Sequence, residues 1–361
     1  MTGHGQPHEP AGIGGYQALL DDLNRQGAAL RSLATDRALG GALSRLASAI
    51  ASRGSVVFGG VGASLHAADV IAARFRSRGL TAWTINAADL VHHVPELHRA
   101  PLVLISQSGE SVEVVKAARV HAGRSPTWCL TLNPKATLSD VSMLVMPGGG
   151  ERGYAATRSF TTTLAVGEML QAACALEVGN TTDAPAVDLV AAASDVEQAG
   201  PELEAGIRSV VGRLSAAATL LFTGRGALAG IAQYGALITM ELARRPAFAL
   251  ESAMVRHGPI EAFGPDLALV ALRRPDGVES LVTGLVALAR DHGSPTALVH
   301  AGRPPEAQPP HPPDVVAPAR SSFGALLVHC VAMQHLAIAL TEARGLVPGE
   351  ATRGTKVTRV E

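Results

Sequence analysis

Aromatic residues make up only 3% of the 361-residue chain, and charged residues only 17%. With so few rings, Ala, Val and Leu must fill the core, which favours helices packed closely on parallel sheets. Charge is balanced as well as scarce. The 30 Lys and Arg stand against 31 Asp and Glu, which argues against a broad field for nucleic acid or anionic lipid. Cys129, Cys174 and Cys330 are odd in number and far apart. They form neither a disulfide framework nor a metal pattern, as expected of a reducing compartment. The opening MTGHGQPHEPAGIGG lacks the apolar core of a signal peptide, and no uncharged apolar run of spanning length is expected later. These absences predict a soluble cytoplasmic protein of about two domains, without nucleic-acid or membrane partners.

What is present is rhythm. Residues 1–15, rich in Gly, His and Pro, read as a disordered tail. From Tyr16 to Ile50, Leu19, Leu23, Leu30, Leu33, Leu39, Leu43 and Leu46 recur at helical spacing. Short apolar runs ending in Gly or Ser then alternate with Ala-rich stretches: Val56–Phe58, Leu102–Ile105, Trp128–Leu130 and Met143–Met146. Such runs predict buried parallel strands in βαβ units. The second half repeats the pattern with Leu220–Phe222, Leu267–Val270, Ala297–Val299 and Val315-Val316. An internal duplication follows: two α/β units, each a parallel sheet flanked by helices in a flavodoxin-like, doubly wound manner, joined near residues 180–205. Gly302–Pro313 reads as a loop, and a final helix runs from about Phe323 to Arg344. The polar end ATRGTKVTRVE has the composition of a disordered tail.

In open parallel sheets, ligands bind beyond the carboxyl ends of the strands. After Ile105 come Ser106, Gln107, Ser108, Gly109, Glu110 and Ser111, then a helical pattern. Hydroxyls at a helix start can hold an anion without Lys or Arg, or can simply cap the helix. The equivalent segment of the second copy, Arg273–Gly277, keeps no hydroxyl cluster, and this asymmetry favours an anion site in the first copy alone. Gly60, Gly62 and Ser64 follow another strand, with Gly allowing close ligand approach. A dinucleotide fingerprint fails there at Leu65. Gly224, Gly226 and Ala229 match its form, but no acidic residue is expected to end the following strand, so no nicotinamide and no other cofactor is anticipated. Glu241 lies in an apolar stretch before Arg244 and Arg245, either as their ion-pair partner or as a semi-buried general base. His257 sits in a tight Arg-His-Gly-Pro loop. No spacing fits a zinc site, and the Gly-x-Ser-x-Gly and Gly-Lys-Ser/Thr motifs are missing.

FGGVGAS, ISQSGES, ERGYAATRSFTTTLA, FTGRGALAGIAQYGALITMEL, VRHGPIEAF and TKVTRVE together resemble the SIS (sugar isomerase) family, in family order across residues 58–361. The likeness is greatest to the isomerase half of glucosamine-6-phosphate synthase and its stand-alone relatives. It extends to LLDDLNRQGAAL, where Gly27 replaces a usual Pro. The resemblance implies tandem SIS domains over 16–190 and 200–345, with an active-site tail over 346–361. It places Ser64, Ser106, Gln107, Ser108 and Ser111 on the sugar phosphate, and Gly62, Ala63, Tyr154 and Ala156 along the sugar. Glu241 falls on the base that moves a proton between C1 and C2. His257 falls on the ring-opening residue that reaches the neighbouring subunit, implying a homodimer. Lys356 falls on the tail lysine that meets the carbonyl.

The departures are informative. Ala63 and Ala156 stand where hydroxyls are usual, Ile238 replaces a lysine one turn before the base, and residues 351–355 are one residue short. No glutaminase segment precedes residue 1, so glutamine-dependent synthesis by this chain alone is not expected. The resemblance therefore implies an isomerase of an amino- or aminated-sugar phosphate, coupled to deamination or deglycation. Alternatives are plain aldose–ketose isomerisation, ammonia-dependent amination with a separate glutaminase subunit, and a silent phosphosugar sensor.

Overall fold

The computed structural model describes residues 15–93, 96–97, 99–136, 138, 141–147, 149–177, 179, 187–274, 279–303, 312–354 and 356. The expected N-terminal tail, apart from Gly15, and most of the Gly302–Pro313 loop lie outside the described residues. Three helices come first: α1 (Gly15–Asn24), α2 (Gln26–Thr35) and α3 (Arg37–Arg53). The single helical pattern of Tyr16–Ile50 is thus broken twice. Asp36 makes the second break by accepting the Leu39 N–H as the cap of α3, which Gly54 closes in the left-handed conformation.

The first sheet follows with β1 (Ser55–Gly60), α4 (Ala63–Arg76), β2 (Thr81–Asn86), α5 (Ala87–His92), β3 (Leu102–Ile105), α6 (Val112–His121), β4 (Thr127–Thr131) and β5 (Ser142–Val145). Helices α7 (Arg158–Glu177), α8 (Leu189–Gln198) and α9 (Gly200–Ala216) connect it to the second sheet. That sheet runs through β6 (Thr219–Gly224), α10 (Ala227–Ala243), β7 (Ala247–Glu251), α11 (Ser252–Val255), β8 (Leu267–Arg273), α12 (Glu279–Asp291), β9 (Thr296–Ala301) and β10 (Val315–Ala317), before α13 (Ser322–Glu342).

Both sheets are parallel and five-stranded, with orders β2-β1-β3-β4-β5 and β7-β6-β8-β9-β10. The two halves therefore share one topology, as the repeated rhythm implies. Strands β2 and β7, one edge of each sheet, have no counterpart among the apolar runs. TAWTIN and AFALE each carry exposed positions and so break a continuous hydrophobic signal. Strand β7 also corrects the fingerprint reading, because Glu251 does end the strand after Gly224-Arg225-Gly226. Its oxygens, however, accept from Arg225 Nε at 3.2 Å and the Ala253 N–H at 2.6 Å.

A second correction concerns α13, which is long and apolar enough to cross a membrane by length and composition. In this fold it is buried against α8, α9 and α10, and His329 and Gln334 are buried within it. The inner faces of both sheets share one core. Phe58, Val103 and Ile105 of the first sheet join Phe222, Val270 and Val299 of the second through α4, α7, α10 and α13. Each outer face has its own smaller core.

The halves meet closely where α10 crosses α4. A Cβ on Gly230 would lie 2.7 Å from Val70 Cγ2, 3.0 Å from the Val70 backbone N and 3.1 Å from the His66 carbonyl. Two of these are backbone atoms, so the crowding is not relieved by a rotamer change. Gly230→Ala is expected to destabilise the fold by about 1–3 kcal/mol, measured as a lowered denaturant midpoint at unchanged m-value.

Candidate active site

In each sheet the chain leaves its first and third strands toward opposite sides, which opens a crevice at their carboxyl ends. In the first sheet, Gly60–Ser64 after β1 and Ser106–Ser111 after β3 border that crevice. Gly62 has φ +55°, a conformation costly for other residues, and turns the chain into α4. Gly109 has φ +65°, and a Cβ there would lie 2.3 Å from Ala136 Cβ.

The hydroxyl loop is held by its own polar groups. Buried Ser106 Oγ accepts the Gly109 N–H at 3.1 Å, and Ser108 Oγ accepts the Glu110 N–H at 3.1 Å. Thr131 Oγ1 donates to the Gln107 carbonyl at 3.1 Å, and Asn133 Nδ2 donates to the Ser108 carbonyl at 2.9 Å. Ser111 is the N-cap residue of α6, yet its side chain makes no capping bond. Its hydroxyl lies beside the helix N-terminus and accepts from Ser106 Oγ at 3.5 Å.

A cavity of about 350 Å³ opens over this loop. Its wall brings together Gly62, Ala63, Ser64, Gln107, Ser108, Ser111, Tyr154, Ala156, Glu241 and Lys356, all expected from sequence. Ser106 lies beneath the wall and shapes the loop. His257 lies outside the cavity of its own chain, exposed between α11 and Gly258. Val61, Glu113 and Glu151 complete the wall, and no sequence pattern had singled them out.

Glu151 is buried, with Oε1 accepting from Thr157 N at 2.8 Å and Thr157 Oγ1 at 2.8 Å. Ser159 adds its N–H at 3.3 Å and its hydroxyl at 2.6 Å. Lys356 Nζ lies 3.5 Å from Glu151 Oε2 and also donates to the Gly153 carbonyl. The segment leading to Lys356 is tied down in steps. Arg244 Nη2 donates to the Glu350 carbonyl at 2.8 Å, and Gly354 lies close against the Tyr154 hydroxyl.

Glu241 occupies the last turn of α10, partly buried in the cavity wall. Neither neighbouring arginine pairs with it. Arg244 holds the Glu350 carbonyl, and Arg245 turns away to the Leu214 and Ala217 carbonyls. Burial pushes the Glu241 carboxyl up to about 7; the Lys356 charge opposes this, and Glu151 adds to it. The C-terminal end of the helix dipole acts in the same direction as burial. Glu113 lies in the first turn of α6, and its buried Oε2 has no hydrogen-bond partner. The wall thus carries three carboxylates and one ammonium. Such a site can hold an anion on hydroxyls and N–H groups, take up a proton at Glu241 and polarise a carbonyl with Lys356.

A crevice of this kind defines the chain as an α/β protein with two matched parallel sheets and a polar site at a strand switch point. Residues 49–173 match the SIS domain family. A glutamine–fructose-6-phosphate aminotransferase (isomerizing) of Bradyrhizobium diazoefficiens is 28% identical, over 72% of this chain and 44% of its own length. The chain spans about half the length of the curated relatives it matches. Among solved structures, the C-terminal domain of glucosamine-fructose-6-phosphate aminotransferase from Francisella tularensis superposes with TM-score 0.80 at 19% identity, covering 94% of this chain and 100% of that one. A glucosamine-6-phosphate deaminase from Thermotoga maritima gives TM-score 0.72 at 19% identity, covering 94% and 99%. Both likenesses are of fold.

The raised Glu241 carboxyl has a consequence for stability. Below its ordinary value of 4.5 the folded and unfolded chains both hold the proton. As pH rises from there to about 7 only the folded chain keeps it, so stability falls, and the full cost persists above. Glu241→Gln is expected to be more stable than the parent above pH 7, by about 1–3 kcal/mol. The gain vanishes near pH 4, as denaturant unfolding at both pH values would show.

Proposed function

We propose that the chain is a phosphosugar isomerase acting on an amino- or aminated-sugar phosphate, with isomerisation coupled to release of the nitrogen. In this reading the second sheet and its helices form a second SIS domain, and the tail expected over 346–361, of which 355 and 357–361 lie outside the described residues, delivers Lys356. The observation that carries it is the convergence on one cavity of a hydroxyl cradle, a carboxyl raised to about 7 and a lysine. A silent sensor needs only the first of these.

The phosphate sits on Ser64, Gln107, Ser108, Ser111 and the N–H groups opening α6. Glu241 takes the proton from C2 of the open-chain sugar, and the C–H electron pair becomes the C1–C2 double bond. Negative charge developing on the C1 oxygen is met by Lys356. Lys356 gives a proton to that oxygen, and Glu241 returns its proton to C1 as the nitrogen lone pair closes the C2=N bond; the iminium gives an N–H proton back to Lys356, and water hydrolyses the C2 imine to a ketose and ammonia.

Two features favour a nitrogen-bearing substrate over a plain sugar. Three carboxylates face one ammonium in the wall, and Glu113 Oε2 lacks a hydrogen-bond donor.

Ammonia release should be measured across 6-phosphorylated amino sugars and fructosamines. Glu241→Gln and Lys356→Ala are each expected to lower turnover by about 10²-fold or more, and undiminished turnover in both would overturn the mechanism. Because the base must be ionised, kcat/KM should rise with pH through about 7 on the acid side, and Glu241→Gln should lose that limb. Isomerisation without ammonia would select the plain aldose–ketose reading.

We also propose a homodimer in which His257 serves the partner's cavity, because it is exposed and remote from its own. Mixing inactive His257→Ala and Glu241→Gln chains should then regenerate about a quarter of parent activity, through hybrid dimers with one intact site. No recovery after exchange of subunits would place His257 outside the reaction.

A further inference from the structure

The second sheet has the same crevice as the first, furnished differently. Gly226 repeats the Gly62 turn almost angle for angle, with φ +55° and ψ −125° against +55° and −132°. It opens a 17-residue helix, α10, whose Leu228 and Ala229 N–H groups turn back to the Arg225 and Gly226 carbonyls at 3.0 and 3.1 Å, so the helix offers the crevice the positive end of its dipole. Opposite this turn, where the first copy has its hydroxyl loop, β8 ends in Arg273.

Arg273 is only 7% exposed, and its Nε and Nη1 have no hydrogen-bond partner. His300, its register partner on β9, is 1% exposed and has an unpartnered Nδ1, while its Nε2 contacts the Arg303 carbonyl at 2.9 Å. Arg225, in the turn itself, is neutralised by Glu251 at 3.2 Å. Glu279 shares the cleft but leaves Arg273 Nε and Nη1 without a hydrogen bond, and buried guanidinium nitrogens left so are unfavourable until an anion satisfies them. The cleft walled by Arg225, Leu228, Arg273, Glu279 and Val282 encloses about 10 Å³, room for one oxygen atom. A tetrahedral oxyanion can seat one corner there and leave its other oxygens outward.

We propose that this carboxyl edge of the second sheet is a second oxyanion site, in which Arg273 and the N-terminus of α10 hold a phosphoryl group. It lies apart from the sugar-phosphate cavity, whose wall it does not share. The phosphoryl group is borne either by free phosphate or by a second sugar phosphate.

Phosphate binding to the full chain should be followed by calorimetry in a Ser106→Ala, Ser108→Ala background, which weakens the first cradle. One phosphate per chain should still bind, and adding Arg273→Met should weaken it about tenfold or more. Equal affinity with and without Arg273, or no binding in the double variant, would overturn the site. Tighter binding of a hexose 6-phosphate than of phosphate identifies a sugar phosphate as occupant, and the reverse identifies free phosphate; both support the site. Without phosphate, Arg273→Met should melt no lower than its parent, since it removes an unpaired buried charge, whereas a lower melting point would make Arg273 structural. Arg273→Gln repeats the binding comparison if the Met variant does not fold. Crystals grown with phosphate should show tetrahedral density at Arg273, and water alone there would overturn the proposal.

Discussion

The arrangement of the cavity depends on one buried carboxylate. Glu151 would be costly to bury alone, but Thr157 and Ser159 supply it with two N–H groups and two hydroxyls. Those donors belong to the start of α7, so satisfying the carboxylate also curls residues 151–157 into a fixed loop. The loop is then gripped from elements distant in sequence. Asp22 of α1 accepts the Arg152 and Gly153 N–H groups at 2.8 and 2.7 Å. Tyr234 of α10 donates to the Ala156 carbonyl at 2.6 Å, its ring stacked on Phe160. Gln334 of α13 reaches the Thr157 carbonyl at 3.4 Å. The loop belongs to the first half of the chain, yet Tyr234 and Gln334 of the second half help to set its position. With its donors in place, Glu151 still offers an oxygen to Lys356, and the Gly153 carbonyl offers another acceptor.

Lys356 is therefore positioned by the same loop that lines the cavity, and this bears on Glu241. A carboxyl at a helix C-terminus, partly buried near another carboxylate, is pushed toward its neutral form by three causes at once. Lys356 alone opposes them. The balance leaves Glu241 near neutrality, where it can both take and return a proton. A structure optimised only for stability would pair Glu241 with Arg244 or Arg245. Both arginines are instead spent on backbone carbonyls, in keeping with the tension between stability and a working site.

The extent to which the chain discloses this arrangement follows from where each signal resides. Ser106–Ser111 is legible because strand, loop and helix are contiguous there. Most of the strand pattern is legible because interior parallel strands are apolar on both faces. Strands β2 and β7 are hidden by their exposed edge positions, and with β7 hidden the carboxylate that ends it, Glu251, has no strand to mark it. Glu151 is hidden for another reason. Its donors lie six and eight residues on, a spacing that is neither helical nor extended, and only the folded loop brings them together. A carboxylate upstream of closely spaced Ser and Thr at a helix start is the signal that could have marked it. Lys356 has no local signal at all. Composition makes its surroundings a tail, and only likeness to the SIS family assigns it chemistry.

Two sheets of matched strand order let one chain build such a site with so little charge. Each sheet gives a helix that begins after the same two-glycine turn, α4 in one and α10 in the other. In the first copy the start of α4 faces the cavity, with Gly62, Ala63 and Ser64 in the wall. In the second copy the start of α10 faces its own crevice, and its last turn brings Glu241 to the first cavity instead. One helix thus presents a partly positive N-terminus to the cavity, the other a partly negative C-terminus. The first end suits a phosphate and the second keeps a carboxyl protonated toward neutral pH. Backbone N–H groups and hydroxyls supply the rest of the cavity's positive potential, and Lys356 is the one cationic side chain in its wall among the described residues.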